Sequence, residues 1–133
     1  MFFQSFFSRL FALVLVAAIA LTGCSSASPL SGNYREDTLT TIENLSETIA
    51  LSGKEENFSE TVASARSLMN DYASRYRRDS RVSGLRSFTT MQTALNNLAG
   101  FYGTYGVRPL ASKLSKRLQQ EFKEVEFTLK RGF

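Results

Sequence analysis

Phe58-Ser59-Glu60-Thr61-Val62-Ala63-Ser64-Ala65-Arg66-Ser67-Leu68-Met69-Asn70-Asp71-Tyr72-Ala73-Ser74-Arg75-Tyr76-Arg77 decides the fold class. Phe58, Val62, Ala65, Met69, Tyr72 and Tyr76 recur at alternating four- and three-residue steps. A period of 3.6 residues places all six on one face of a helix and leaves the charged and hydroxyl side chains on the other. Asn57 precedes the run and Glu60 lies three positions on, a box-like capping arrangement.

The same period recurs on both sides of this segment. Upstream, Leu39, Ile42, Leu45 and Ile49 predict a helix from about Tyr34 to Leu51, with Glu36 and Asp37 in its first turn, where the helix dipole favours acids, and Gly53 as a stop. Downstream, Leu85, Phe88, Met91, Leu95, Leu98 and Tyr102 predict a third helix from about Val82 to Gly103, weakened by Gly84 at its start and by Gly100 and Gly103 near its end. Leu110, Leu114, Leu118, Phe122, Val125 and Leu129 predict a fourth from about Pro109 to Lys130, with Pro109 suited to the first helical position. No alternating run of β-branched residues signals a sheet. The short connections predict an all-α, up-down-up-down four-helix bundle over residues 34–133.

Ahead of the bundle, residues 24–33 are rich in Ser and contain Pro29 and Gly32. They read as a flexible tether that reaches about 33 Å when extended. Residues 1–23 read as a cleaved signal peptide: Arg9, an apolar run from Leu10 to Leu21, then small residues. That run is 12 residues long, short of the roughly 20 that span a bilayer, so a permanent membrane helix is the weaker reading. Leu21-Thr22-Gly23-Cys24 resembles the bacterial lipobox. It implies a diacylglyceryl thioether on Cys24 and cleavage before it, making Cys24 the lipidated N-terminus. The competing reading of Cys24 as a small buried thiol fits poorly beside Ser25-Ser26-Ala27-Ser28-Pro29. Cys24 is the single cysteine, so the exported domain has no disulfide and must rest on core packing.

Charge is segregated along the chain. From Cys24 to Glu60 two basic residues (Arg35, Lys54) face seven acidic ones, whereas from Thr61 to Leu118 ten basic residues face only Asp71 and Asp79. The densest cluster is Arg75, Arg77, Arg78, Arg81 and Arg86. In an up-down bundle it falls at the end where the tether joins, which would be the membrane-proximal end. Three readings stay open: a solvated set of arginines favourable to a helix C-terminus, a site for an acidic partner protein, or attraction to anionic headgroups. Phe101, Tyr102 and Tyr105 beside Arg108 pose a similar choice between core packing at a helix end and an exposed binding patch. Export removes nucleic acid as a partner.

Little here suggests catalysis. The chain has no histidine, and its cysteine is committed to lipid, which leaves no triad and no zinc site. Glu43 with Glu47 and Glu56 with Glu60 have the four-residue spacing of bundle metal ligands, but no Glu-x-x-His motif completes a set, so solvated faces are the better reading. Gly100-Phe101-Tyr102-Gly103 lacks the Gly-Lys-Ser/Thr of a phosphate loop. The residues themselves predict a non-enzymatic lipoprotein without a cofactor, expected to be a monomer.

Tyr76-Arg77-Arg78-Asp79, the stretch from Gly84-Leu85-Arg86-Ser87-Phe88 through Met91 to Asn96, Arg108-Pro109-Leu110 and Leu129-Lys130-Arg131-Gly132 resemble the cyanobacterial photosystem II assembly and repair lipoprotein family. The likeness extends from about Tyr34 to the end. It implies a four-helix bundle anchored by lipid on the lumenal side of the thylakoid membrane. It also implies binding to the smaller chlorophyll-binding core antenna subunit in precursor photosystem II complexes that lack the mature manganese cluster. There such a protein would keep extrinsic subunits from docking early and leave before activation. Arg78, Arg86, Tyr105 and Arg108 are the expected partner contacts. Ser80 and Gly106 stand where the family pattern often has proline, which bears on loop rigidity more than on function. The alternative is a structural envelope lipoprotein binding an anionic membrane surface.

Overall fold

The Phe58 stretch folds as its spacing predicts. In the computed structural model, which describes residues 28–133, it forms α2 (Phe58–Tyr76), flanked by α1 (Tyr34–Ile49), α3 (Arg86–Tyr105) and α4 (Ser112–Lys130). No strand occurs among the described residues. The helices close a ring: α1 packs on α2 and α4, and α3 packs on the same two, while across the α1–α3 diagonal the Tyr34 side chain reaches Ser87. With short connections this is the up-down-up-down bundle. The signal segment, Cys24 and the first residues of the tether lie outside the described residues.

The core stripes of α2, α3 and α4 are largely those read from the sequence. Phe58, Val62, Ala65, Met69, Tyr72 and Tyr76 are all buried, as are Phe88, Met91, Leu95, Leu98 and Tyr102. Leu118, Phe122, Val125 and Leu129 are buried, while Leu85, Leu110 and Leu114 are partly so. The stripe of α1 differs. Leu39 is exposed, and Asp37, Thr38, Thr41 and Thr48 go inward with Ile42, Leu45 and Ile49. The threonines tolerate burial because each hydroxyl bonds back one turn: Thr38 to the Tyr34 carbonyl (2.6 Å), Thr41 to that of Asp37 (2.7 Å) and Thr48 to that of Asn44 (2.8 Å).

Several boundaries move for local reasons. Asn57 flanks α2 without a side-chain cap, so the expected box does not form. Instead α1 is capped by Asn33, whose side chain accepts from the Glu36 amide at 3.1 Å. α3 begins at Arg86 and not at Val82, because Leu85 is extended and residues 79–85 turn through bonds such as Ser83 N–H to the Asp79 carbonyl (2.9 Å). α3 runs through both glycines to Tyr105 and stops at Gly106, whose φ of 78° is left-handed. α4 starts at Ser112 after the extended Ala111, so Pro109 is not its first residue. Pro109 packs instead on Gly53, where a Cβ would come within 2.9 Å of its Cδ. The first and third loops therefore meet at one end of the bundle.

The tether is the largest departure from expectation. Residues 28–33 are packed against the bundle. Leu30 is 8% exposed and belongs to the core. The backbone N–H groups of Ser31 and Gly32 donate to the carboxylate of Asp37 at 2.7 and 2.9 Å, and the Ser28 hydroxyl donates to Asp71. Hydrogen-bonded backbone and one apolar anchor convert a Ser-rich segment from linker to strap.

Candidate functional site

Two ends of the bundle carry different chemistry. At the end made by the second loop and the start of α1, four aromatic rings cluster. Tyr76 lies 5.3 Å from Tyr34 and 5.1 Å from Tyr72, and Tyr72 lies 6.4 Å from Phe88, centroid to centroid. Their hydroxyls are partnered. Tyr72 shares a bond with Thr38 at 2.8 Å, Tyr34 with Ser87 at 2.7 Å, and Tyr76 donates to Asp37. Burial pushes all three tyrosines above their ordinary range. Burial would raise Asp37 as well, but the Tyr76 hydroxyl and the Ser31 and Gly32 amides outweigh it and hold the carboxyl below its usual range.

The arginine cluster does lie at this end, where Arg35, Asp79 and Arg81 border one shallow cleft with Asn33 and Tyr34. Much of its charge is locally matched. Arg75 pairs with Asp71 (3.0 Å), Arg81 with Asp79 (3.2 Å) and Arg86 with Glu124 (3.3 Å). Hydrogen bonds from Arg81 hold the Asp79 carboxyl low. Among the described residues, Arg77 and Arg78 carry no ion pair, and both are exposed.

The α3–α4 flank holds two further clefts of aromatic and cationic character. The larger, about 720 Å³, is lined by Leu85, Arg86, Glu124, Phe127, Arg131 and Phe133 among others. Phe127 and Phe133 are 54% and 61% exposed, and the Arg131 guanidinium lies 4.4 Å from the Phe127 ring centroid. The second, about 490 Å³, lies at the opposite end between Phe101, Tyr105, Arg108, Pro109 and Leu114. Tyr105 is 59% exposed, with its ring 5.2 Å from Phe101, while Tyr102 points into the core. At 1.5 Å per residue, Arg86 and Tyr105 are separated along α3 by about 28 Å.

The four expected contacts are thus not one site. Tyr105 and Arg108 share a cleft, Arg86 lines the other cleft of the same flank, and Arg78 lines neither. Cys24 lies outside the described residues. The sequence reading missed Phe127, Arg131 and Phe133. A signal was there: Phe127 falls off the Phe122, Val125, Leu129 stripe, and an aromatic side chain out of phase with a strict stripe is displayed to solvent. Glu43, Glu47, Glu56 and Glu60 are all exposed, and no three metal-ligating side chains converge among the described residues. No described helix is long and apolar enough to cross a membrane.

Comparison with known proteins gives a consistent result. The family described as Photosystem II Pbs27 matches residues 4–129. The Photosystem II lipoprotein Psb27 of a Synechocystis species is 53% identical over 98% of each chain. The Photosystem II assembly factor lipoprotein Psb27 of Thermosynechococcus vestitus is 48% identical over 96% of each. The solution structure of Psb27 from cyanobacterial photosystem II superposes with a TM-score of 0.74 at 54% identity, covering 78% of this chain and 90% of that one. The crystal structure of PSB27 from Arabidopsis thaliana gives 0.72 at 29% identity, over 75% of this chain and 98% of that one.

Proposed function

The chain belongs to the Photosystem II Pbs27 family of photosystem II assembly and repair proteins, and from that membership we propose that it is a non-enzymatic assembly factor held at the lumenal surface of the thylakoid membrane by lipid on Cys24. It binds precursor complexes through the smaller chlorophyll-binding core antenna subunit before the manganese cluster matures. While bound, it keeps extrinsic subunits from docking.

The observation that carries this reading is the α3–α4 flank. Its two clefts pair exposed aromatic rings with arginines, the side chains that dominate protein–protein hot spots. The clefts are open and lined by no convergent acid–base or nucleophilic set, which suits contact with a protein surface better than turnover of a small molecule. The alternative, an envelope lipoprotein held by anionic headgroups, would rest on the arginine cluster, and three of its five members are already ion-paired.

Affinity capture from solubilised thylakoids tests the proposal. Precursor complexes containing the antenna subunit are expected on the tagged protein. Recovery of mature oxygen-evolving complexes alone, or of no antenna subunit, overturns it.

A further inference from the structure

The strap fixes where the anchor leaves the bundle. From Asn33 at the start of α1 the chain runs back along the groove between α1 and α2. Leu30 is sunk into the core, and Ser28 bonds to Asp71 and borders a cleft with Pro29, Asn44, Ser64 and Ser67. Asp71 lies five residues before the end of α2 and Ser64 twelve, so Ser28 sits about 7–18 Å from the second-loop end. Only three residues then separate it from Cys24, a leash of four residue steps or about 14 Å at full extension.

We infer that the strap delivers the Cys24 anchor from the α1–α2 flank, so that this flank lies on the bilayer surface and the α3–α4 flank faces away from it. The inference rests on lipid at Cys24, as proposed above. Lengths decide it. A free ten-residue tether of about 33 Å would let any face meet the membrane. A leash of about 14 Å does not carry the outer surface of α3–α4 to the bilayer, because helix axes in a bundle stand 8–10 Å apart and each helix is about 10 Å thick. The cleft beside Ser28 presents the hydroxyls of Ser64 and Ser67 and the amide of Asn44, polar groups that suit headgroups, and its one charged member, Asp71, is bonded to Ser28. Attachment then comes from the acyl chains, and on zwitterionic headgroups the order of the faces does not depend on salt. The orientation also leaves both aromatic–arginine clefts open to a protein partner.

The test uses the processed, lipidated protein in phosphatidylcholine vesicles that carry a quencher on a minority of headgroups. The thioether consumes the only native thiol, so one added cysteine takes a fluorophore uniquely. Labels at Asn44→Cys and Ser64→Cys are expected to be quenched several-fold more than labels at Thr93→Cys and Lys123→Cys, in low and high salt alike. Freeing the strap with Ser28→Ala and Leu30→Gly should bring the four positions together while helix content stays intact; Ser28→Ala alone should move them partway. Equal quenching at all four positions in the native strap, or an order that survives its release, overturns the orientation alone. Failure of the processed protein to hold the vesicles at all overturns the anchor and the orientation with it.

Discussion

The hydroxyl of Tyr76, in the last turn of α2, donates to the carboxylate of Asp37, in the first turn of α1, and the same carboxylate receives the Ser31 and Gly32 amides of the strap. One buried charge thus joins two helices and the segment that precedes them. A hydrogen bond to a charged group contributes about 1.5–3 kcal/mol, and removing the acceptor strands several donors at once. Tyr76→Phe should cost about 1–2 kcal/mol in urea unfolding and Asp37→Ala about 2–3 kcal/mol. The double variant should cost less than the sum, because the two share one interaction. Full additivity would show that the pair is not coupled.

Asp37 also sets an acid limit. Its folded carboxyl lies below its ordinary range, so its contribution is complete above the unfolded value near 4 and is lost as pH falls through the lowered folded value. Facing it are Tyr76, neutral throughout this window, and at longer range Asp71 and Arg75. Asp71 is itself held low, by Ser28 first and by Arg75, and titrates in the same direction. Stability measured from pH 7 to pH 2 should therefore fall more steeply below about pH 4 in the native chain than in Asp37→Asn, with Asp71→Asn intermediate. Parallel curves would remove Asp37 as a source of acid lability.

Apolar periodicity made the bundle legible, because α2, α3 and α4 bury hydrocarbon and hydrocarbon has a readable spacing. α1 was legible as a helix and at Ile42, Leu45 and Ile49, but not at its polar inward face: in place of Leu39 it turns Thr38, Thr41 and Asp37 inward, and their partners are backbone carbonyls, the strap and two tyrosine hydroxyls that only the tertiary fold brings near. The strap was invisible for the same reason. Ser28 and Ser31 look like linker until Asp71 and Asp37 stand beside them. Of the candidate surface, the Tyr105–Arg108 pair could be read because the two are close in sequence. The larger cleft joins Arg86 to Phe127 across two helices, which spacing cannot show.

Gly106 gives a loop test. It ends α3 with φ at 78° while its N–H donates to the Tyr102 carbonyl at 3.0 Å. Proline can adopt neither the angle nor the bond, so Gly106→Pro should cost about 3 kcal/mol. Gly84 needs no positive φ and has nothing within 4 Å of a Cβ, so Gly84→Ala should leave stability within about 0.5 kcal/mol. Thermal unfolding of the two variants compares them directly. A neutral Gly106→Pro would mean that this loop adopts a second backbone path at no cost.

The partner face is open to a sharper test than its shape. Phe127, Tyr105 and the arginines beside them are exposed, so their truncation should leave folding within about 0.5 kcal/mol and act on binding alone. Hot-spot side chains are worth about 2 kcal/mol or more, roughly 30-fold in affinity. Arg86→Ala with Phe127→Ala should weaken capture of photosystem II precursors by at least that factor, and Tyr105→Ala with Arg108→Ala should do so independently, since about 28 Å separates the two clefts. Arg78→Ala, whose side chain lines neither cleft, should change capture about two-fold or less. Quantitative pull-down across these variants decides between faces: a large loss with Arg78→Ala and none with the α3–α4 variants would move the partner onto the second-loop end of the bundle.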